Sequence, residues 1–490
     1  MKVRDLLLIC CLAVLSGTAY LVSSQVRYRL GFPLDDAWIH QTYARNFAQG
    51  NGWSFKAGFP SGGTTAPLWT FLLSIGYWVG LDRLFWAYFL GIGLLAIVGI
   101  LSLRTFQLSD RSLGWLGCFF VLEWHFVWAS VSGMETILAI VLVVAVYERL
   151  LADKSMWSLS ALLAASVWVR PDLLSLALPI GVSLVIRANS NRQPWHYQLQ
   201  PLFLVAFSGL AYGFFNLSVS GAWLPTTYYA KQIEYMELRS LPLSYRLWQQ
   251  FSVPLVGASS LFLLGFFYRA YLFFKTKAWQ GLAWIGWYFL MIGLYATRLP
   301  VIYQHGRYMM PAMVVYFLIG LDGSIRLYRW ASQKPIVGWV VTRAGVVSWM
   351  ILTIVFWALG ANAFAKDVQL IETQMVETAH WAQKNLPAQS RIAVHDIGAM
   401  GYFTNHDLVD LAGLINPEVI PFLRDEAKLA EYLDQKQVDY LICFPQWYPN
   451  LTKDLAVLHS ADRIITEAYG ELPMTIYRWR VNGLRKLWNR

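Results

Sequence analysis

Two adjacent carboxylates, Asp35 and Asp36, lie in the stretch PLDDAWIHQTYARN, a few residues after a hydrophobic run ends. An aspartate at the start of a helix is a common N-cap, but two exceed what one cap requires. Beside a membrane, a partly desolvated carboxylate has a raised pKa and can act as a general base. A pair of carboxylates can also hold a divalent cation. The pair is therefore the first candidate for chemistry, with cap, base and metal ligand as alternatives.

Two further stretches combine cations with aromatic residues. LPTTYYAK contains Tyr228, Tyr229 and Lys231, and YQHGRYMMP contains His305 and Arg307 at the start of a predicted helix. Arginine binds phosphate through its planar fork and lysine as a point charge. These residues are candidates for binding a phosphate group, although the same cations could bind anionic lipid headgroups without any chemistry.

Other ionisable residues are candidates for a supporting role. Glu135 lies in SGMET at the start of an apolar segment, and Arg170 and Asp172 lie in VRPD between two such segments. Arg170 and Asp172 could pair with each other or contribute to a site. Glu123 and His125 lie inside an apolar segment, where ionisable side chains must face protein or a wet cavity.

The composition identifies the setting of these residues as a membrane. Of the 490 residues, 57% are hydrophobic and only 14% are charged, and the chain contains 24 Trp and 28 Phe. This is too apolar for an ordinary soluble protein. The net charge is +10, but no run of five basic residues occurs, so no nucleic-acid partner is expected. The 4 cysteines lack the spacing of a zinc site.

Eleven apolar windows approach the roughly 20 residues that span a bilayer. They cover residues 6–24, 84–103, 112–131, 135–151, 156–170, 171–187, 199–219, 248–272, 279–297, 307–323 and 344–362. We interpret the first as a membrane anchor rather than a cleaved signal peptide, because a polytopic chain follows and no clean cleavage site appears. A further window, at 66–80, could be a short span or a helix in the interface.

Loop charge decides between these readings of residues 66–80. If this window does not span, the inner loops after residue 85 hold thirteen Lys and Arg residues and the outer loops hold six, as expected for cytoplasmic and extracytoplasmic sides. The predicted first outer loop is then 25–84. All the candidate residues in loops, and the C-terminal tail, are predicted to face the extracytoplasmic side of a multi-pass protein.

The chain is predicted to contain two domains, a membrane domain at 1–362 and a soluble domain at 363–490. In the second, QLIETQMVETAHWAQKNLP and EAKLAEYLDQKQ have helical periodicity, whereas RIAVHD, VDYLICF and MTIYRWRV are typical of strands. This alternation predicts a small α/β domain with a partly parallel sheet. VHDIGAMGYF runs from a strand into a turn and is interpreted as structural.

The motifs LDDAWIHQTYARNFAQGNGWSF, SGGTTAPLW, SGMET, RPD, LPTTYYAK, GRYMMP and HDIGAMGYF…VDLAGL occur in this order. Together they resemble the bacterial GT-C glycosyltransferases that use polyprenyl-phosphate sugars, and most nearly the terminal arabinofuranosyltransferase-like branch. The resemblance implies interfacial helices in the first outer loop and a C-terminal domain in the periplasm. Together with the apolar windows, it predicts a polytopic α-helical membrane protein of the GT-C type with about eleven transmembrane helices and a C-terminal soluble α/β domain.

The resemblance also implies roles. Asp35 or Asp36 would be the base, Lys231 and Arg307 would hold the donor phosphate, and Tyr228 and Tyr229 would line its path. The chain has RPD where the family more often has Arg-Pro-Glu, so the role of the shorter carboxylate does not follow from the resemblance. The expected location is the cytoplasmic (inner) membrane of a bacterium.

The expected activity is transfer of a sugar, hexose or pentose, from a polyprenyl-phosphate donor to a glycan, lipid or protein acceptor. A single base with in-line displacement predicts inversion. The sequence identifies no definite cofactor besides the polyprenyl-phosphate-sugar donor substrate, and a divalent metal on the acidic pair stays an open alternative. A lipid-linked sugar transporter or flippase would predict paired inverted repeats, and none is evident. A non-catalytic assembly factor with this fold is the other alternative.

Overall fold

A computed structural model describes residues 2–152, 155–191, 202–333, 337–463, 466 and 470–479. Helices cover most of the described residues in each of the eleven predicted apolar windows, and residues 199–201 of one window lie outside the described residues. Lys154, Arg192 and Lys334, three of the thirteen predicted inner cations, lie outside the described residues, as do the last two residues of the predicted strand MTIYRWRV.

The α-helices follow one another along most of the chain. Their bounds are Val3–Arg27, Asp35–Ala48, Pro67–Trp78, Arg83–Ser109, Gly117–Leu122, Trp124–Val131, Thr136–Leu151, Met156–Val167, Ala177–Asn191, Leu202–Ser220, Thr226–Glu234, Met236–Ser240, Leu243–Ser252, Leu263–Lys275, Trp279–Arg298, Met310–Ala331, Val337–Ile371, Glu377–Asn385, Ile397–Phe403, Glu426–Gln435 and Pro449–Thr452. One π-helical turn, Glu372–Val376, continues the long helix that begins at Val337. Short 3₁₀ turns cover Arg111–Leu116, Pro171–Leu176, Val253–Leu255, Ala258–Phe262, Pro417–Phe422 and Pro445–Trp447.

Several of these helices can cross a membrane. Among the described residues, 5 are long and apolar enough, and up to 7 if each of two bent pairs counts as one span. The pairs bend by 56° at Glu123 and by 102° near Gly257. The four other predicted windows form the helices Thr136–Leu151, Met156–Val167, Pro171–Ile186 and Trp279–Arg298. Length and composition alone therefore support five to seven of the eleven expected spans.

The segment predicted to lie in the interface forms the helix Pro67–Trp78. Its 12 residues are fewer than the roughly 20 that cross a bilayer. Pro67 occupies the first turn, where its missing N–H costs no intrahelical hydrogen bond.

The chain folds into two compact units, and each unit consists of three segments that are separated in the sequence. The first comprises Met1–Ser23, Ala87–Tyr212 and Glu237–Ala363, and the second comprises Ser24–Trp86, Gly213–Met236 and Phe364–Arg490. The first unit is helical. Its core includes fully buried aromatic side chains such as Trp128, Trp284 and Trp287.

The second unit contains the strands. A small antiparallel hairpin pairs β1 (Ser54–Lys56) with β2 (Phe59–Pro60). A five-stranded sheet has the order β4-β3-β5-β7-β6, and its strands are β3 (Arg391–Val394), β4 (Asp407–Asp410), β5 (Tyr440–Cys443), β6 (Ala456–Ser460) and β7 (Thr475–Arg478).

The sheet is partly parallel, as predicted. Strand β3 pairs in parallel with both β4 and β5, whereas β7 pairs antiparallel with β5 and β6. Strands β3, β5 and β7 confirm the three predicted strands. Strands β4 and β6 and the small hairpin were not predicted from the sequence.

Candidate active site

Asp35 links two distant parts of the second unit. It begins the helix Asp35–Ala48, and its carboxylate accepts hydrogen bonds from the backbone N–H groups of Gly398 (2.6 Å) and Ala399 (2.8 Å). Those N–H groups belong to the first turn of the helix Ile397–Phe403 and have no partner within it. Asp35 thus caps a helix that lies 363 residues further along the chain.

Gly398 makes this contact sterically feasible. A Cβ atom at Gly398 would lie 2.0 Å from the carbonyl oxygen of Asp35, so only glycine allows the two backbones to approach. A Cβ at Gly401 would similarly lie 2.1 Å from the ring of Phe55. The two glycines of HDIGAMGYF therefore form a surface against which the first-loop segment packs.

Asp396 does not cap the helix that it precedes. It is the N-cap residue of the helix Ile397–Phe403, but its side chain makes no capping hydrogen bond. The N–H groups that an N-cap aspartate usually binds are already held by Asp35. The Oδ2 atom of Asp396 is consequently buried without a hydrogen-bond partner.

His395 precedes this aspartate and contacts a helix from another segment. Its Nδ1 lies 2.6 Å from the hydroxyl of Tyr448, and its Nε2 lies 3.7 Å from Oε1 of Glu234. Its side chain is only 11% exposed. Glu234 is the last residue of the helix Thr226–Glu234, which also carries Lys231 and is called the Lys231 helix below.

The Lys231 helix is tied to both neighbouring segments of the second unit. The hydroxyl of Thr226 lies within hydrogen-bond distance of the carbonyl oxygens of Gly62 (2.9 Å) and Leu414 (2.6 Å), and Thr227 donates to Gly63. Because the helix is anchored at its start, the residues that follow have fixed positions. Among them, Tyr228 and Tyr229 are 42% and 39% exposed.

Asp410 is the last residue of β4, and both oxygens of its carboxylate have hydrogen-bond partners. Its oxygens accept hydrogen bonds from the N–H groups of Ala412 (2.7 Å) and Ile415 (2.8 Å) in the following loop. Burial raises the pKa of Asp410 to about 6, and these two hydrogen bonds act in the opposite direction.

The carboxylates of this cluster influence one another. Burial raises the pKa of Asp35, the charge of Asp396 raises it further, and the two N–H donors partly oppose the shift. Burial also raises the pKa of Asp396. The charge of His395 lowers this pKa, whereas the charges of Glu234 and Asp36 raise it. Asp36 therefore lies within electrostatic reach of Asp396.

His395 and Glu234 shift in the directions expected of an ion pair. Burial lowers the pKa of His395, but the neighbouring Glu234 and Asp396 outweigh burial, so that the pKa is raised. Burial raises the pKa of Glu234, but His395 and Lys231 outweigh it and the pKa is lowered. Both groups thus favour their charged forms.

The remaining candidates belong to the first unit. Arg170 forms a double hydrogen bond with Asp172 (3.1 and 3.2 Å), and the Tyr295 hydroxyl donates to the same carboxylate at 2.6 Å. Of the two roles considered for Arg170 and Asp172, the structure shows the pairing. Arg307 is 5% exposed, and its guanidinium donates to the hydroxyl of Tyr308.

His305, Glu135 and the pair inside the apolar segment also lie in the first unit. His305 has φ of 59° and packs against the edges of Trp124 and Trp128, with ring centroids 5.3 and 5.2 Å away. Glu135 is buried and directly precedes the helix Thr136–Leu151. His125 contacts Glu123 at 2.7 Å, so these two residues partner each other.

The acidic pair can be assessed as a metal site. In the part of the chain that the structure describes, no group of three or more His, Cys, Asp or Glu side chains is arranged to hold a metal ion. Both oxygens of Asp35 already accept hydrogen bonds from backbone N–H groups, and an N–H group does not coordinate a cation.

Comparisons with known proteins agree with this architecture. Residues 362–481 match a family model described as a domain of unknown function (DUF8728). No curated protein matches the chain. Among solved structures, ArnT from Cupriavidus metallidurans bound to undecaprenyl phosphate is similar, with a TM-score of 0.57 and 11% identity, over 96% of this chain and 98% of that chain.

The oligosaccharyltransferase of Archaeoglobus fulgidus in its apo form also matches, with a TM-score of 0.57 and 12% identity over 89% of this chain and 70% of that one. The same organism's AglB in complex with an inhibitory peptide and a dolichol-phosphate has a TM-score of 0.51 and 13% identity. This chain has the GT-C fold. It is a multi-pass membrane protein whose C-terminal part contains the five-stranded sheet.

The structure adds residues that the sequence did not single out. Glu234, His395, Asp396 and Asp410 interact electrostatically with one another, and Asp396 also interacts with Asp35. Two of the four, His395 and Asp396, belong to VHDIGAMGYF, which was interpreted as structural. The two glycines of that motif could have indicated this contact from the sequence, because glycines three residues apart lie on one face of a helix and allow another segment to approach closely.

Proposed function

We propose that this protein is a glycosyltransferase of a bacterial cytoplasmic membrane. It transfers a hexosyl or pentosyl group from a polyprenyl-phosphate donor to a glycan, lipid or protein acceptor on the extracytoplasmic face. The arabinofuranosyltransferase-like motifs of the sequence support a relation to that branch, and the sugar itself is left to experiment.

The observation that supports this proposal is that the two adjacent aspartates differ in hydrogen bonding and exposure. Both oxygens of Asp35 accept hydrogen bonds from backbone N–H groups, so that Asp35 holds the helix Ile397–Phe403 in place. Asp36 follows it on the same helix and is partly exposed. We therefore assign the general base to Asp36 and the positioning of the loop to Asp35.

In the reaction, Asp36 takes the proton of an acceptor hydroxyl while the oxygen forms a bond to the anomeric carbon. The bond from that carbon to the phosphate oxygen breaks, and the polyprenyl phosphate leaves with the electron pair. The phosphate is a good leaving group, so no strong general acid is needed. A single displacement inverts the anomeric configuration.

Cations near the leaving phosphate stabilise the charge that develops there. In the second unit this role is proposed for Lys231, beside the exposed rings of Tyr228 and Tyr229. Arg307 and His305, the other phosphate-binding candidates of the sequence, lie in the first unit. The solved structures with this fold include one bound to undecaprenyl phosphate and one in complex with a dolichol-phosphate, both isoprenoid phosphates.

The proposal is tested with the full chain, purified and reconstituted in vesicles with a panel of polyprenyl-phosphate sugars. Wild type is compared with Asp36→Asn and with Asp454→Asn, an exposed aspartate of the C-terminal sheet domain that serves as a matched control. We expect kcat for transfer or donor hydrolysis to fall by roughly 10² to 10⁴ in Asp36→Asn, as for loss of a general base. The control should keep wild-type turnover.

Other outcomes favour the alternatives. Turnover that survives in Asp36→Asn would overturn the base assignment. A wild type that binds donors and exchanges them between leaflets without breaking the sugar–phosphate bond would be a transporter or flippase. A wild type that neither binds nor turns over any donor would be a non-catalytic assembly factor.

A further inference from the structure

The carboxyl ends of β3 and β5 form the edge of the sheet nearest to the acidic pair. His395 and Asp396 follow β3, and the turn Pro445–Trp447 and Tyr448 follow β5. Because β3 and β5 are parallel, these residues meet at one edge. The crevice outside the carboxyl ends of parallel strands is where open α/β sheets bind ligands.

One carboxylate oxygen at this edge, Oδ2 of Asp396, lacks a hydrogen-bond partner. Asp410 is satisfied by its own loop and Asp35 by Gly398 and Ala399, but Oδ2 of Asp396 is buried with no hydrogen bond. A buried oxygen without a donor is costly unless a ligand or water supplies one. The orphaned oxygen lies near the acidic pair, because Asp35, which adjoins Asp36, binds the N–H of Gly398, two residues after Asp396.

An aromatic side chain lies at the same edge. The ring of Trp447 is 4.8 Å from that of His395 in an edge-to-face arrangement, and Trp447 is 40% exposed. Tyr448 fixes the other side of His395 through its hydroxyl. An exposed indole beside fixed polar groups offers both an apolar face for the C–H groups of a sugar ring and hydrogen bonds for its hydroxyls.

We propose that this edge is the acceptor subsite and that its ligand is a sugar. Asp396 accepts a hydrogen bond from an acceptor hydroxyl, Trp447 packs against the sugar ring, and His395 keeps both in place through its contacts with Tyr448 and Glu234. The inference rests on the proposed function, since it supplies the acceptor for the base Asp36. It also gives the C-terminal domain a direct part in substrate binding.

The test measures binding and turnover separately. Methyl glycosides of common hexoses and pentoses are used as probes in saturation-transfer NMR with the full chain in nanodiscs, which contain no sugar detergent. Wild type is compared with Asp396→Asn, Trp447→Ala and Trp447→Phe, with Asp454→Asn as the matched control. Asp396→Asn keeps the size of the side chain, so that its folding is preserved.

We expect saturation transfer to at least one methyl glycoside in wild type, Trp447→Phe and the control, and at least a fivefold loss in Asp396→Asn and Trp447→Ala. In the vesicle assay, the same two variants should raise the KM for the methyl glycoside acceptor about tenfold. Glycoside signals that are absent in wild type or unchanged in both variants would overturn the subsite.

The two proposals fail in different ways. A wild type that binds a glycoside through Asp396 but turns over no donor would sustain the subsite and refute the transferase. If wild type turns over donors and Asp396→Asn has the same acceptor KM as wild type, the transferase is supported and the subsite is refuted.

Discussion

The carboxylate of Asp35 accepts a hydrogen bond of 2.6 Å from the backbone N–H of Gly398, across 363 residues of sequence. This contact joins the first-loop segment to the C-terminal sheet domain within the second unit, and it has two effects on the candidate site. It makes one of two adjacent aspartates a structural anchor, and it leaves Asp396 without the capping hydrogen bonds that its position would otherwise give it.

Asp35→Asn is therefore expected to weaken the fold as well as the activity. An asparagine can accept only one of the two hydrogen bonds, and its amide then faces the second N–H group. The free energy of unfolding should fall by about 1–3 kcal/mol, the cost of a buried donor left unpaired. The thermal midpoint in detergent at pH 5 measures this effect, because protonation then reduces repulsion among the neighbouring carboxylates.

The adjacent Asp36→Asn is the control for that measurement. It should keep the wild-type midpoint while losing turnover, since the role proposed for Asp36 is chemical. Equal midpoints for Asp35→Asn and wild type would contradict the anchoring role of Asp35.

The membrane helices were predictable because long apolar windows have few alternatives to helix in a bilayer. Strands β3 and β5 were predictable for a related reason, since their buried residues form short apolar runs. Strand β4 has the sequence DLVD, with a carboxylate at each end, and β6 is an exposed edge strand. Each contains an apolar run of only two or three residues, LV in β4 and AVL in β6, and each pairs with a single neighbouring strand.

The acidic pair was found from sequence, but the two aspartates could not be told apart. The distinction depends on N–H groups of Gly398 and Ala399, which are remote in sequence and supplied by the backbone. The contact of His395 with Glu234 was likewise hidden, because each residue alone is an unremarkable polar residue near the end of an element.

The cluster predicts a dependence of stability on pH. The pKa values of Asp35, Asp396 and Asp410 are raised in the folded protein, chiefly by burial. The unfolded chain therefore loses these protons at a lower pH, and stability falls as pH rises from about 4, the ordinary aspartate value. For Asp410 the loss is complete above about pH 6, and the shift of Asp35 extends the decline further.

The thermal midpoint of wild type should thus decrease between about pH 4 and pH 8. In Asp396→Asn the decrease should be smaller, because one buried carboxylate and its repulsion of Asp35 are removed. Asp454→Asn, whose side chain is exposed, should follow the wild-type curve. Parallel curves for wild type and Asp396→Asn would show that Asp396 does not interact with the cluster.

His395 and Glu234 should couple only over a limited pH range. The pKa of His395 is raised, so its stabilising charge is complete below its ordinary value of about 6.5 and disappears as pH rises through the folded value. The lowered pKa of Glu234 keeps its charge above about pH 4.5. A double-mutant cycle with His395→Gln and Glu234→Gln measures the interaction.

At pH 6 the cycle should give a coupling of roughly 0.5–3 kcal/mol, in the range found for contacting residues. At pH 9 the coupling should be smaller, because a rise in pH removes the proton of the imidazole. The same coupling at both pH values would mean that the two side chains interact by packing alone.

Lys231 provides the last prediction, which concerns the donor. Lys231→Ala should raise the donor KM by about ten- to a hundredfold, since a hydrogen bond to a charged group contributes roughly 1.5–3 kcal/mol. Lys231→Arg keeps the positive charge and should recover most of the affinity, and Lys453→Ala, an exposed lysine of the C-terminal domain, should have no effect. Initial rates at varied concentrations of a polyprenyl-phosphate sugar give the three values. If Lys231→Ala lowered kcat with an unchanged KM, Lys231 would act on the transition state rather than on binding of the donor, and the phosphate contact proposed for the ground state would be wrong.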